Sequence, residues 1–256
     1  MRRGMSRTKR ALLFTLALLP VALAAGFFAA RYTLKIVDPV MLNEAVAQLG
    51  SETALLAITV VQTVLYALVC GFFGCILSDR IGLMRPFRFA KKPLCITFAA
   101  SLIAGAVFSL DAWTFGRWIP EIGTSYAATG TFDVDTWMAS ILYGGIIEEV
   151  MMRLFLMSLI AFLVWKIFLK KRETVPTGVL IVANVAAALL FAAGHIPATL
   201  QTFGALTPLL LLRCFLLNGA FGLLFGRLYR KYGIQYAMLS HLLLHIVSRT
   251  IWLIAF

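Results

Sequence analysis

The chain has 256 residues, of which 61% are apolar and only 13% are charged, whereas soluble proteins carry about 25% charged residues. A water-soluble fold of this length cannot bury that much apolar surface, so the composition excludes a soluble enzyme, a secreted disulfide scaffold and a DNA-binding module. Several apolar runs reach the roughly 20 residues that a helix needs to cross a bilayer. The sequence therefore predicts an all-α, polytopic transmembrane bundle.

Seven apolar runs predict seven membrane-spanning helices within one membrane domain that comprises residues 1–256. The first run follows a basic tail, as in a signal peptide, but it reaches full spanning length, which favours a retained helix. For the long polar connection over residues 111–136 we favour a plain loop outside the membrane, with an ordered external cap as the alternative. The runs cover residues 11–30, 54–78, 93–110, 137–169, 178–193, 206–229 and 236–256.

The net charge of +12 comes largely from Lys and Arg in alternate connections, at residues 2–10, 80–92, 166–172 and 227–231. The opposite connections contain only three basic residues, Arg31, Lys35 and Arg117, together with most of the acids. Because Lys and Arg accumulate on the cytoplasmic side of a membrane, the pattern predicts a cytoplasmic N-terminus. It also explains the positive charge without a nucleic-acid partner, since anionic lipid headgroups can accept these contacts.

An ionisable side chain at bilayer depth costs a few kcal/mol, so the few that remain inside the runs indicate function. Every histidine of the protein is among them, which favours a site built inside the membrane over isolated core residues. The four cysteines form no CxxC pair, and we expect them to be buried and reduced. The ionisable set is Glu148, Glu149, Arg153, His195, Arg213, His241, His245 and Arg249.

The fourth run contains the pattern Glu-Glu-x-x-x-Arg at residues 148–153. Glu149 and Arg153 are four residues apart with the acid first, the favourable order for an ion pair on one helix face. Glu148 is rotated by about 100° from Glu149. It is therefore free for chemistry, and we expect it to act as a general base.

The last run places His241 and His245 four residues apart, on one face of the predicted helix. Such a pair can bind zinc, but a HExxH site needs glutamate directly after the first histidine, where this chain has Leu242. We therefore favour a metal-independent site, with zinc bound by the histidine pair as the alternative, and we expect no other cofactor. The remaining histidine, His195, ends the pattern Phe-x-x-x-His, and Gly194 before it leaves room for a neighbouring backbone or a substrate.

The three patterns together resemble the CPBP family, the intramembrane glutamate proteases related to the type II CAAX prenyl endopeptidase and to bacterial Abi proteins. They occur in the family's order over residues 140–247, with His245 where the prenyl endopeptidases have Asn. The resemblance implies a catalytic core over residues 136–256, in which Glu148 and His195 activate water. It also implies that His241 and His245 stabilise the oxyanion. Family members usually have eight helices, whereas this sequence predicts seven.

The resemblance implies an intramembrane endopeptidase that acts on a membrane-associated or hydrophobic peptide, in a bacterial cytoplasmic membrane. Two alternatives remain: a non-catalytic immunity or scaffold protein of the same family, and a proton-coupled transporter. The absence of aspartate after Asp135, of HExxH and of GxSx in any apolar run argues against other types of intramembrane protease. Counting along the spans places His195 and His241 at different depths, so tilted or broken helices are needed to bring them together.

Overall fold

The computed structural model describes residues 5–37, 39–122 and 131–256, and within them every regular element is helical. We number nine helices, and two short 3-10 turns, Leu110–Ala112 and Phe115–Arg117, extend the fourth. Seven segments are long and apolar enough to cross a membrane, which confirms the predicted fold class and span number. The helices are α1 (Arg7–Ile36), α2 (Pro39–Leu49), α3 (Glu52–Arg80), α4 (Lys91–Ser109), α5 (Val134–Phe168), α6 (Thr177–Gly194), α7 (Ile196–Phe203), α8 (Pro208–Tyr232) and α9 (Ile234–Ala255).

Helix α5 lies at the centre of the bundle and packs against α1, α3, α6, α8 and α9. Its side chains Ile147, Val150 and Leu154 are completely buried. Two stretches of α5, Ala139–Ile147 and Val150–Met157, are wound as π-helix, a geometry that is frequent at functional sites. The two glutamates of the first pattern therefore stand on the central helix, at the junction of these stretches.

Two adjacent glycines allow α5 to approach α9 closely. A Cβ atom on Gly145 would lie 2.9 Å from the Cα atom of Leu242, which is too close for real Cβ atoms. A Cβ atom on Gly144 would lie 2.9 Å from Nε2 of His245. These glycines thus set the distance between the helix that carries the glutamates and the helix that carries the histidine pair.

The connection after α4 is not the plain loop that the sequence suggested. Residues of its two 3-10 turns and of the segment after them pack onto the ends of α8 and α9. This small core consists of Ala112, Ile119, Ile122, Leu210 and Trp252. A polar segment is expected to stay in water, but the apolar residues of this connection form a second buried cluster against α8 and α9. Residues 123–130 of the same connection lie outside the described residues.

Two acids of this connection are buried, although their place in a polar connection predicts exposure to water. Asp111 is 1% exposed and accepts hydrogen bonds from Arg213 at 2.9 and 3.0 Å. Asp135 is 2% exposed and accepts a hydrogen bond from Arg31 at 2.8 Å. The cysteine prediction also needs one correction: all four are free, but Cys95 is exposed on the outer surface of α4.

Candidate active site

The two adjacent glutamates of α5 face different surroundings, as consecutive residues of a helix must. The side chain of Glu148 is 18% exposed and lines a cavity of about 370 Å³ inside the bundle. Glu149 is completely buried. One carboxylate can therefore meet a water molecule or a substrate, and the other is committed to the protein interior.

His195 lies at the break between α6 and α7, which turns its side chain into the same cavity. Its Nδ1 atom is 2.8 Å from the carbonyl oxygen of Phe191, one turn earlier. Because a carbonyl oxygen can only accept, Nδ1 carries the proton and the neutral ring presents a lone pair at Nε2. The Phe-x-x-x-His spacing thus fixes the tautomer of the histidine.

Nε2 of His195 lies 4.0 Å from Oε1 of Glu148. This distance is too long for a direct hydrogen bond, yet one water molecule can lie about 2.8 Å from both atoms. The break in the helix places His195 beside Glu148, and it also brings His195 and His241, which span counting places at different depths, to the walls of one cavity. The pair has the geometry of a base and a histidine that share one water.

Glu149 makes two contacts through a single oxygen. Its Oε1 atom lies 3.1 Å from Nη1 of Arg153, so the predicted ion pair is present, and 2.9 Å from Nδ1 of His241. The Arg153 side chain is 1% exposed. The contact between Glu149 and His241 was not predicted, since it joins residues on different helices. It orients His241 so that its other ring nitrogen, Nε2, points away from Glu149.

Two phenylalanines enclose the Arg153 guanidinium. Its Cζ atom lies 4.6 Å from the ring centroid of Phe191 and 5.5 Å from that of Phe225, within the range of cation–π attraction. The Phe225 ring also stacks on His241, with centroids 4.4 Å apart. Phe191 belongs to the Phe-x-x-x-His pattern. Phe225 belongs to none of the three patterns, and no sequence signal distinguished it from other apolar residues.

His245 stacks against His241 with ring centroids 4.9 Å apart and lines the cavity that contains Glu148. Neither ring nitrogen of His245 forms a hydrogen bond within the part of the chain that the structure describes. One turn further along α9, Arg249 donates hydrogen bonds to the Ser140 hydroxyl at 2.9 and 2.6 Å. All four residues predicted to be catalytic therefore line one cavity.

The described residues contain no group of three or more His, Cys, Asp or Glu side chains whose arrangement suits a metal ion. Glu149 already contacts both Arg153 and His241. Absence of metal dependence stays a prediction, and chelation tests it.

A second cavity, of about 550 Å³, adjoins the first and shares His195, His245 and Arg249 in its walls. It also reaches Lys35 at the end of α1 and Asp133 just before α5. The two cavities together form a passage from Glu148 in the first cavity to the ends of α1 and α5.

An ionic cluster ties α1 to α5 beside this passage. Lys35 contacts Asp133 and lies 2.7 Å from Asp135. Burial acts to raise the pKa of Asp133, but hydrogen bonds from Lys35 and Thr136 outweigh it and lower the pKa to about 2. The cluster thus remains ionised at neutral pH and holds the first span against the helix that carries both glutamates.

The family model described as type II CAAX prenyl endopeptidase Rce1-like matches residues 131–247. Over this segment the chain is similar to that family. The segment begins just before α5 and ends just after His245, so it contains every predicted site residue, while α1 to α4 lie outside it. No curated protein and no solved structure matches the chain. The resemblance inferred from the three patterns is confirmed, and the Rce1-like segment indicates an intramembrane protease of the CAAX type at the family level.

Proposed function

We propose that the protein is an intramembrane endopeptidase in which Glu148 and His195 activate the water that hydrolyses a peptide bond. The observation that carries the proposal is the 4.0 Å separation between Oε1 of Glu148 and Nε2 of His195, at the wall of a cavity inside the bundle. The Rce1-like segment supports peptide hydrolysis as the class of reaction.

In this mechanism the water donates one hydrogen bond to Glu148 and one to Nε2 of His195. One of the two lone pairs on the water oxygen faces the cavity, where the carbonyl carbon of the scissile peptide bond is presented. As the water oxygen attacks that carbon, one proton passes to the Glu148 carboxylate. The protonated glutamate then donates this proton to the leaving amine nitrogen as the C–N bond breaks.

The histidine pair stabilises the negative charge that develops on the carbonyl oxygen. His245 can present an N–H to the cavity from its neutral ring, because no other hydrogen bond from the described residues fixes its tautomer. His241 already donates from Nδ1 to Glu149, so its Nε2 donates only when the ring carries a second proton. The Glu149 carboxylate is the countercharge beside that ring.

The experiment compares peptides released from membranes that contain the wild type, Glu148→Gln or Glu44→Gln. The last is a matched control, since Glu44 is an exposed residue of α2. We expect a set of cleavage products that the wild type and the control share and Glu148→Gln lacks. Identical peptide sets in all three membranes would favour the non-catalytic scaffold instead.

A further inference from the structure

Contacts between helix ends assign the connections of the bundle to two opposite faces. Asp79, near the end of α3, pairs with Arg7 and Arg10 at the start of α1. The Gln235 side chain, at the start of α9, donates a hydrogen bond of 3.1 Å to the carbonyl oxygen of Pro86 between α3 and α4. These contacts place the starts of α1, α4 and α9 and the end of α3 on one face.

This face carries most of the exposed positive charge of the described residues, and we call it the basic face. The end of α5 belongs to it as well, because Arg80 lies 5.6 Å from the ring centroid of Phe162. Lys and Arg accumulate on the cytoplasmic side of membrane proteins, so the basic face is the cytoplasmic one. Its exposed cations include Arg85, Arg88, Lys91, Lys92, Lys170, Lys171, Arg172, Arg227 and Lys231.

The opposite helix ends meet on a second face, which we call the mouth face. Arg31 at the end of α1 pairs with Asp135 at the start of α5. Trp252 near the end of α9 donates a hydrogen bond of 3.0 Å to the carbonyl oxygen of Ser109 at the end of α4. Each of these four helices has its other end on the basic face, so the two faces lie on opposite sides of the membrane.

The passage from the candidate active site leads to the mouth face. The walls of the second cavity come from the mouth-face ends of α1, α5, α8 and α9 and from α7, and no cation of the basic face contributes to them. Hydroxyl and amide side chains in these walls offer hydrogen-bond partners to an extended peptide backbone. They belong to Thr136, Thr199, Thr202 and Asn218.

We propose that the enzyme takes its substrate from the non-cytoplasmic side, as an extended segment of a secreted or translocated peptide that enters through the mouth face. That the protein has a peptide substrate rests on the proposed function. The side from which the substrate enters rests on the positions of the basic face and the mouth face. A lipidated carboxyl-terminal tail held at the cytoplasmic surface would reach the basic face, on the far side of the bundle from this passage.

The test uses single cysteines and a membrane-impermeant maleimide. Thr202→Cys and Ala198→Cys place a thiol in the cavity walls, and Lys171→Cys places a control thiol on the basic face. All three are made in a Cys95→Ala background, because the other native cysteines are buried. The full-length protein is labelled in sealed vesicles whose cytoplasmic surface faces inwards, before and after permeabilisation with detergent.

We expect the two cavity cysteines to react fully in sealed vesicles and Lys171→Cys to react only after permeabilisation. The reverse pattern, or cavity cysteines that stay unlabelled in sealed vesicles, would overturn the proposal. Labelling requires no hydrolysis, so it reports the direction of access alone. Failure of the proposed function appears separately, as wild-type hydrolysis by Glu148→Gln.

Discussion

His241 donates a hydrogen bond from Nδ1 to Oε1 of Glu149 across 2.9 Å, and the same oxygen lies 3.1 Å from the Arg153 guanidinium. The second glutamate of the first pattern therefore has two tasks. It neutralises a buried cation on its own helix, and it orients a histidine that α9 contributes to the cavity.

Replacing Glu149 by Gln should destabilise the protein, because Arg153 then remains buried without a countercharge. Breaking a buried ion pair in this way costs about 3–5 kcal/mol, which we expect as a lower melting temperature and a lower yield in detergent. Glu148→Gln is the matched control, since among the described residues Arg153 pairs with Glu149 and not with Glu148, and it should melt close to the wild type. Normal melting of Glu149→Gln would contradict the assignment.

The double variant Glu149→Gln/Arg153→Met extends this test. Replacing both members of a buried pair by uncharged groups is often neutral for stability, so the double variant should recover most of the lost melting temperature. Hydrolysis should not recover, because the glutamine oxygen at position 149 can still accept the hydrogen bond from His241 but no longer supplies the negative charge beside its ring. A double variant that regains activity would show that Glu149 has only the structural task.

Substitutions at His245 separate hydrogen-bond donation from other roles. An Asn side chain also presents an N–H group, so His245→Asn should keep much of the hydrolysis rate. His245→Ala removes the donor and should lower the rate on the order of a hundredfold or more. Equal losses in the two variants, measured on purified protein, would rule out a simple donor role.

Chelators test the prediction that the reaction needs no metal. We expect hydrolysis to survive exhaustive treatment with EDTA and phenanthroline, because water activation rests on Glu148 and His195. Stoichiometric zinc in the purified protein, together with chelator inhibition that zinc reverses, would contradict this expectation. In that case Asn at position 245, a poor zinc ligand, should fail nearly as badly as Ala.

Three glycine-to-alanine variants test how α5 approaches α9. Gly145→Ala forces a methyl group against the Leu242 backbone and should cost about 1–3 kcal/mol, the usual effect of overpacking. Gly144→Ala meets only the end of the His245 side chain, so it should reduce activity more than stability. Gly194→Ala is the control, since a Cβ atom there has nothing within 4 Å. Equal melting temperatures for all three would leave the close approach without support.

The sequence predicted those features that depend on one helix at a time. Hydropathy was sufficient to predict the seven spans, and the spacing of Glu149 and Arg153 was sufficient to predict their ion pair. The contact of Glu149 with His241 joins residues 92 positions apart. This contact depends on how closely α5 packs against α9, and that distance cannot be predicted from a single sequence.

Other features were missed for identifiable physical reasons. Asp111 and Asp135 belong to a polar connection, which predicts exposure to water, whereas this connection packs onto helix ends and buries both acids. The break at His195 did leave a signal: Pro197 follows closely and starts the next helix. That proline could have predicted that the histidine ends its helix and turns into the bundle.

The central claim is that Glu148 and His195 together activate a water molecule. The most direct measurement is the rate at which purified wild type, Glu148→Gln and His195→Ala cleave one peptide from the membrane comparison, with melting temperatures measured in parallel. The account predicts that both variants fold like the wild type and release no product above background. Cleavage at the wild-type rate by either well-folded variant would contradict it.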